Sequence, residues 1–414
     1  MIWHRQLKAW LCPMREVVIT GIGLRTPMGD EYGSVMQGMA QGRSAISLDP
    51  QQQRAMARVT TALDAGFSRQ QLNLYDRVSQ LGVLAADAAF ADAGWQRGSL
   101  DGARSGVFLG NGCGPTHAVM DAYQTMFQTG SMRGLVLLRC LPNAAASHIS
   151  MQWNIRGACQ TYALACASAA AALGEAMRAI RHGYLDLAVA GGSEAPFGEG
   201  TYSAWEAMRV LAPVDEAAPQ RMCRPFAHDR SGIVLGEGAV FFVLEEEQAA
   251  RARGARIHAR LSGYGVSADA DHLTSPSPEN QARAMQHAMQ DAQVCASDIA
   301  YVNAHGTATK VGDVSETKAL HHAFGAHAPH IPVSSTKAMH GHLLGASAGI
   351  ELLACLLALQ QGILAPTLNL DQADPECDLD YVPNQARSIP LPAAVMSNSF
   401  AFGGSNASLI LCRA

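Results

Sequence analysis

The sequence is poor in charge. Only 16% of its 414 residues are Asp, Glu, Lys or Arg, against 48% hydrophobic residues, and the net charge is −5. No stretch concentrates Lys and Arg as phosphate-backbone binding requires, which argues against a nucleic-acid partner. None of the ten cysteines stands in a Cys-x-x-Cys pair, so zinc knuckles and thioredoxin-type motifs are absent. At that density, in a chain of this size, the thiols read as reduced and the location as cytoplasmic. There is no Gly-x-Gly-x-x-Gly and no P-loop, so nucleotide binding lacks its usual support. No segment is long, polar and repetitive enough for disorder. The most apolar stretch, "ELLACLLALQQGIL", is too short to span a bilayer. The opening "MIWHRQLKAWLCPM" has no signal-peptide core. Strand-like sequence begins at "REVVITGIG", so residues 1–14 read as an extension, with translation starting at Met1 or Met14.

What is present is apolar sequence rich in glycine, with 39 glycines suited to close backbone approaches. "EVVITGIG" reads as a buried strand and "RVSQLGVLAADAAFADAG" as a helix with a Gly stop. "QTYALA" is a strand candidate; after it Leu173, Met177 and Ile180 fall at helical spacing, with Gly183 as the cap. The alternation restarts at "RIHARLSGYGVSAD", and "AAVMSNSFAFGGSNASLILCR" reads as a hairpin. Strands alternating with helices predict an α/β protein. A change of phase near residue 255 predicts two similar halves, 15–255 and 256–414.

Cys166, in "LACASAAAALGEAM", lies where a strand hands over to a helix. Free backbone N–H groups and the helix dipole there favour a thiolate, and small neighbours leave room for substrate. The competing reading is a small buried hydrophobe. His305, in "VNAHGTATKVGD", ends an apolar run and opens a polar loop with Thr307 and Thr309, as a catalytic or binding group or a turn histidine. His342, in "SSTKAMHGHLLGASAG", follows Lys337 by five residues, and a nearby ammonium would keep its ring neutral and able to donate. His340 reads as a bland surface histidine. "GASAG" (345–349) matches the hydrolase elbow, but no strand precedes it and no histidine follows it, so that reading fails on order. His321, His322, His327 and His330 lack ligand spacing, and no metal is expected. In "MSNSFAFGGSN", Phe400 and Phe402 sit beside glycines, which suits a gating loop as well as a plain hairpin.

Together these pieces resemble a β-ketoacyl-acyl-carrier-protein synthase of the elongating KAS I/KAS II type. Cys166, His305, Lys337, His342 and "NSFAFGGSN" stand in the family's order and spacing. "CRPFAHDRSGIVLGEGAVFFVLEE" and "DHLTSPSPEN" add further agreement. The resemblance covers residue 15 to the end. It implies a thiolase-like fold, two related halves in αβαβα layers, and an acyltransferase (EC 2.3.1 class) that condenses malonyl-ACP with an acyl chain held on Cys166. It implies that Cys166, His305 and His342 are catalytic, with Lys337 and Glu351 as a supporting polar pair. Thr307, Thr309 and Thr274 would contact the phosphopantetheine arm. Phe402, with Phe400, would gate the site, and the Phe402 N–H would join that of Cys166 in an oxyanion hole. Arg209 would meet the carrier protein. No cofactor is implied beyond the carrier's phosphopantetheine. The implied partners are acyl carrier protein and a second ketosynthase-like chain, in a homodimer or heterodimer.

Three departures bear on the pathway. Leu164 replaces the family's usual Thr before Ala-Cys. Ala401 stands where glycine is usual, which would stiffen the gate. The expected helix "SRQQLNLYDRVSQL" (68–81) carries few of the basic residues that meet an acidic carrier. Fatty-acid elongation and a specialised polyene or polyketide pathway are therefore both open. The alternative role is a non-catalytic, chain-length-factor-like partner.

Overall fold

The computed structural model describes residues 14–50 and 53–414, so the expected extension lies outside it apart from Met14. The strands are β1 Val17–Arg25, β2 Ser47–Asp49, β3 Arg54–Met56, β4 Ser105–Gly110, β5 Cys159–Tyr162, β6 Leu187–Glu194, β7 Gly238–Glu246, β8 Ala259–Ala268, β9 Ile299–Asn303, β10 Val333–Ser334, β11 Ile363–Leu364, β12 Arg387–Ser388, β13 Ala394–Phe400 and β14 Ser405–Cys412. Strands β2 and β3 pair with each other, as do β11 and β12. The other ten run β10-β9-β13-β14-β8-β1-β7-β6-β4-β5.

That order is the same sequence of steps read outward from its centre. Beyond β1 come β7 and β6, both antiparallel to their inner neighbour, then β4 and β5 in parallel pairing. Beyond β8 come β14 and β13, again antiparallel, then β9 and β10 in parallel pairing. The halves join where β1 meets β8 at Val18–Arg260 and Ile19–Ala259.

Side-chain detail repeats too. In β1, a Cβ on Gly21 or Gly23 would meet the Ala89 or Ala85 carbonyl at 2.2 and 2.0 Å. In β8, a Cβ on Gly263 or Gly265 would meet the Ala288 or Ala284 carbonyl at 2.4 and 2.1 Å. Each strand thus lies against its covering helix, Arg77–Asp92 or Pro278–Ala292, closer than any side chain permits. Asp92 accepts the Ile22 N–H and Asp291 the Tyr264 N–H, both at 2.9 Å.

Two helices form the middle layer. Ser168–Arg181 packs on β6 and β4 and also touches β8 and β14; Ser347–Gln361 packs on β13 and β9 and also touches β6 and β7. Leu173, Met177 and Ile180 are fully buried, as their spacing predicts, each contributing roughly 1.5–3 kcal/mol of burial. Leu344–Gln361 is long and apolar enough to cross a membrane, and it lies inside this core. The result is the α/β, thiolase-like layered fold that the resemblance implies.

One expected helix is broken. Residues 68–81 form Arg69–Leu74 and the start of Arg77–Asp92, because Asp76 caps the second helix by accepting the Val78 N–H. The second helix turns Arg77 onto the buried Glu237 carboxylate at 2.6 Å.

Candidate active site

After β5 the chain makes a tight turn, Ala165–Ala167, before the helix Ser168–Arg181 begins. Ala165 takes φ +45° to make this turn, and Ser168 Oγ stitches it by accepting the Leu164 N–H at 2.9 Å. Leu164, the first departure from the family's residues, packs its half-buried side chain on the core. The turn places Cys166, 5% exposed, against the C-terminal half.

His342 reaches the same point from the other half. Its Nε2 lies 3.0 Å from Cys166 Sγ. Its Nδ1 faces Ser347 Oγ at 2.8 Å and the Leu344 backbone N–H at 3.3 Å. A backbone N–H can only donate, so Nδ1 accepts and the proton of the neutral ring sits on Nε2. His305 follows β9, with its ring edge-on to His342 at 5.3 Å between centroids. Its Nδ1 lies 3.4 Å from Lys337 Nζ, which also has only donors, so His305 likewise carries its proton on Nε2. One ligand-type atom from each of Cys166, His305 and His342 lies within 4.8 Å of the others. With both imidazoles protonated on Nε2, this cluster offers hydrogen-bond donors rather than the lone pairs a metal ion needs.

Electrostatics enforce that state. Burial holds both histidines well below the ordinary imidazole value, and the Lys337 ammonium adds to it. Lys337 is itself buried, donating to the Glu351 carboxylate and the His305 carbonyl. The sequence expectation of a neutral, donating His342 agrees with this arrangement.

The expectation of a standing Cys166 thiolate does not. Burial pushes the thiol up to about 12; Lys337 and the Phe402 backbone N–H draw it down, and Glu351 and Glu194 push it up. Stripping a sulfur anion of water costs more here than the nearby dipoles return. The sulfur rests as a thiol. His340 also differs from expectation: it is fully buried, bonded to the Gly341 carbonyl at 2.7 Å and to Thr336 Oγ1 at 3.0 Å. Burial, with Lys337, lowers it to about 3, so it is a neutral packing residue.

A cavity of about 380 Å³ leads from Cys166, His305 and His342 to the surface. Thr274, Thr307, Thr309, Phe400, Phe402 and Arg209 all line it, whereas Lys337 and Glu351 stand behind the histidines. The Thr307 and Thr309 hydroxyls are 3.1 Å apart, and Thr309 caps the helix Lys310–Phe324. Phe400 ends β13 with its ring 6.2 Å from that of His305. Ala401 needs no positive φ; Gly403 and Gly404 supply the turn at +84° and +74°. His321, in the expected non-metal cluster, bonds Asp378 at 2.7 Å.

Three functional-looking side chains escaped the sequence reading. Glu316 accepts the His305 and Gly306 N–H groups, both at 2.8 Å. Glu194 accepts the Gly112 and Gly345 N–H groups at 2.7 and 3.1 Å. Ser347 holds His342. Only Ser347 had a signal, since "GASAG" repeats the spacing of "CASAA".

Comparison with known proteins agrees. The Beta-ketoacyl synthase, N-terminal domain matches residues 14–250, and the Beta-ketoacyl synthase, C-terminal domain matches residues 258–371. Nodulation protein E of Rhizobium sp. (strain N33) is 42% identical over 95% of this chain and 98% of its own length. The 3-oxoacyl-[acyl-carrier-protein] synthase 2 of Staphylococcus aureus (strain COL) is 36% identical over 96% and 98%. The ishigamide ketosynthase/chain length factor structure superimposes with a TM-score of 0.89 at 32% identity, covering 97% of this chain and 100% of that one. With the ordered Cys, His, His set in one buried cluster and both family domains matched in sequence, the chain belongs to the beta-ketoacyl synthase family of acyltransferases.

Proposed function

We propose that the protein is a 3-oxoacyl-[acyl-carrier-protein] synthase, with Cys166, His305 and His342 as catalytic residues. The observation that carries this reading is the pair of imidazoles with donors at both Nδ1 atoms, clustered with Cys166, the only cysteine among the described residues that lines the cavity. The Cys166 sulfur attacks the carbonyl of an acyl thioester. A carbon–sulfur bond to Cys166 forms, the bond to pantetheine breaks, and the thiol proton ends on the departing pantetheine sulfur. The oxyanion faces the Cys166 and Phe402 N–H groups.

A malonyl thioester then enters, its arm passing Thr274, Thr307 and Thr309. His305 and His342 donate to its thioester oxygen. The bond to the carboxylate breaks, carbon dioxide leaves, and the electron pair rests as an enolate under the two N–H groups. The enolate carbon attacks the acyl-Cys166 carbonyl. The thiolate released takes up a proton, and the product is a 3-oxoacyl thioester two carbons longer. Neutral donors suit a charge that develops on oxygen, and Lys337 and Glu351 keep them neutral and fixed.

The carrier is an acyl carrier protein that docks near Arg209. The helix Arg69–Leu74 offers Arg69 as its one cation, and Arg77 is engaged by Glu237, so this face favours a pathway-specific carrier. A specialised polyene or polyketide pathway fits better than housekeeping fatty-acid elongation. Dimerisation, with itself or with a ketosynthase-like partner, fits the open β5 edge, where Cys159 and Gln160 are exposed. Exposed Tyr123, Phe127, Leu137 and Leu138 add apolar surface.

The test loads acyl and malonyl groups onto carrier protein and follows the product by mass spectrometry. Condensation by wild type that disappears in Cys166→Ala supports the reading. Absence of Cys166 acylation in the wild type overturns it in favour of a non-catalytic partner.

A further inference from the structure

The Phe402 N–H, which draws the Cys166 thiol down, comes from a loop that is held at only a few points. Ala401 N–H bonds the Ser405 carbonyl at 2.9 Å, and Gly403 N–H bonds the Leu273 carbonyl at 2.8 Å. Gly403 and Gly404 both take positive φ. Leu273 is itself 72% exposed. Backbone tethers alone therefore leave the Phe402 amide on a turn with glycine freedom and a surface anchor.

The side chain of Phe402 has a firmer partner. Its ring stacks on Trp205, with centroids 6.1 Å apart and planes 29° from parallel. Trp205 lies in the helix Glu199–Ala207, which belongs to the N-terminal half. The indole also packs with Cys113 against one apolar cluster. The Cys113 backbone N–H donates to Glu194 at 3.2 Å, and Glu194 also accepts the N–H of Gly345 beside the nucleophile turn. A chain of contacts thus runs from a buried carboxylate, through Cys113 and Trp205, to the ring of the residue whose amide faces Cys166.

We propose that Trp205 is a positioning residue for acyl transfer: its stack on Phe402 holds the Phe402 N–H over Cys166. This rests on the reading of Phe402 as an oxyanion donor. Trp205 touches no reacting atom and does not line the cavity that leads to the histidines. Its loss acts on the half-reaction that uses the Phe402 amide and spares malonyl decarboxylation, which uses His305 and His342. Removing an oxyanion donor outright costs about 10²–10³ in rate, so loosening one is expected to cost about tenfold.

The experiment uses the full chain and two variants. Trp205→Leu keeps an apolar side chain without a ring, and Trp205→Phe keeps a ring that can stack. Two rates are measured: acylation of Cys166 by an acyl-pantetheine thioester, by intact mass, and carbon dioxide release from malonyl-pantetheine. The expected result is acylation about tenfold slower in Trp205→Leu, through kcat with KM within about twofold, and decarboxylation within about twofold of wild type. Trp205→Phe restores most of the acylation rate. Equal losses in both half-reactions, an unchanged acylation rate, or no rescue by Phe overturns the proposal. Wild type that is never acylated on Cys166 overturns instead the reading on which it rests.

Discussion

Two short turns face each other at the centre of the molecule, Leu164–Ala170 and Leu343–Gly349, and they are near copies. Ala165 has φ +45° and Leu344 has φ +46°. Each turn runs through one tight three-residue helix, Ala165–Ala167 or Leu344–Ala346, into a buried helix that begins at a serine. The side chains differ where the copies meet. The position of Cys166 is taken by Gly345, whose Cβ would lie 2.2 Å from the Gly112 nitrogen. Ser168 serves its own turn, whereas Ser347 faces the His342 ring. The two elbows share a backbone, and packing leaves room for a side chain at Cys166 but not at Gly345. The second elbow holds His342 through Ser347 and the Leu344 N–H.

Breaking that division at Cys166 has the largest expected effect. Cys166→Ala lowers condensation by more than about 10⁴-fold, the scale of losing a covalent nucleophile, as product mass spectrometry would show. Filling the twin position strikes the fold instead. Gly345→Ala drives a methyl into the Asn111–Gly112 backbone and should cost at least about 1–3 kcal/mol in urea unfolding, with no gain of a second reactive site.

Lys337→Met probes the histidine side most directly, because Lys337 hydrogen-bonds His305 and Glu351 and acts on Cys166 only through its charge. It strands Glu351 in the core, at an expected cost of about 3–5 kcal/mol. It also lifts the charge that depresses His305 and His342, so both pKa values rise. The acid limb of malonyl decarboxylation then moves to higher pH, since only the neutral rings leave their neighbours undisturbed while donating.

The serines give a smaller and cleaner contrast. Ser168→Ala should cost about 1 kcal/mol of stability and leave decarboxylation within about twofold. Ser347→Ala should slow decarboxylation about fivefold, one hydrogen bond to the His342 ring being lost. A reversed pattern would mean that the two elbows do not divide the work.

Glu194, which joins the Leu343–Gly349 turn to the Gly112–Cys113 loop, gives a pH signature rather than a rate loss. Burial raises it from 4.5 to about 7, against the Gly112, Cys113 and Gly345 N–H groups. Its folded value lies above its unfolded one, so the folded chain holds an extra proton between those pH values. Its contribution to stability is present below about 4.5 and lost as pH rises through about 7. Calorimetry should show the wild-type Tm falling over that range by a few degrees more than in Glu194→Gln.

The strands and helices were legible because the sheet is covered on both faces, so β1 reads as a mostly apolar, buried run with glycines where a helix presses on it. The helix expected over 68–81 was not one helix, because Asp76 prefers to cap than to continue. Cys166, His305 and His342 were legible as motifs, each in a short stretch between an apolar element and small or polar residues. His340 was misread because nothing local marks a histidine as buried. Glu194 and Glu316 were invisible, since their partners are backbone N–H groups of other segments.

The sequence by itself determined which residue types are available: one cysteine at a strand-to-helix junction, two histidines in glycine-rich loops, a lysine between them, and the family to which they belong. Tertiary structure decided their states. Burial favours the thiol and the neutral imidazoles, and donors at both Nδ1 atoms favour ring protons on Nε2. Tertiary packing also left room for a side chain in one elbow and not in its twin. Protonation and steric room depend on water excluded and atoms brought close by distant segments, and no single stretch of sequence carries that information.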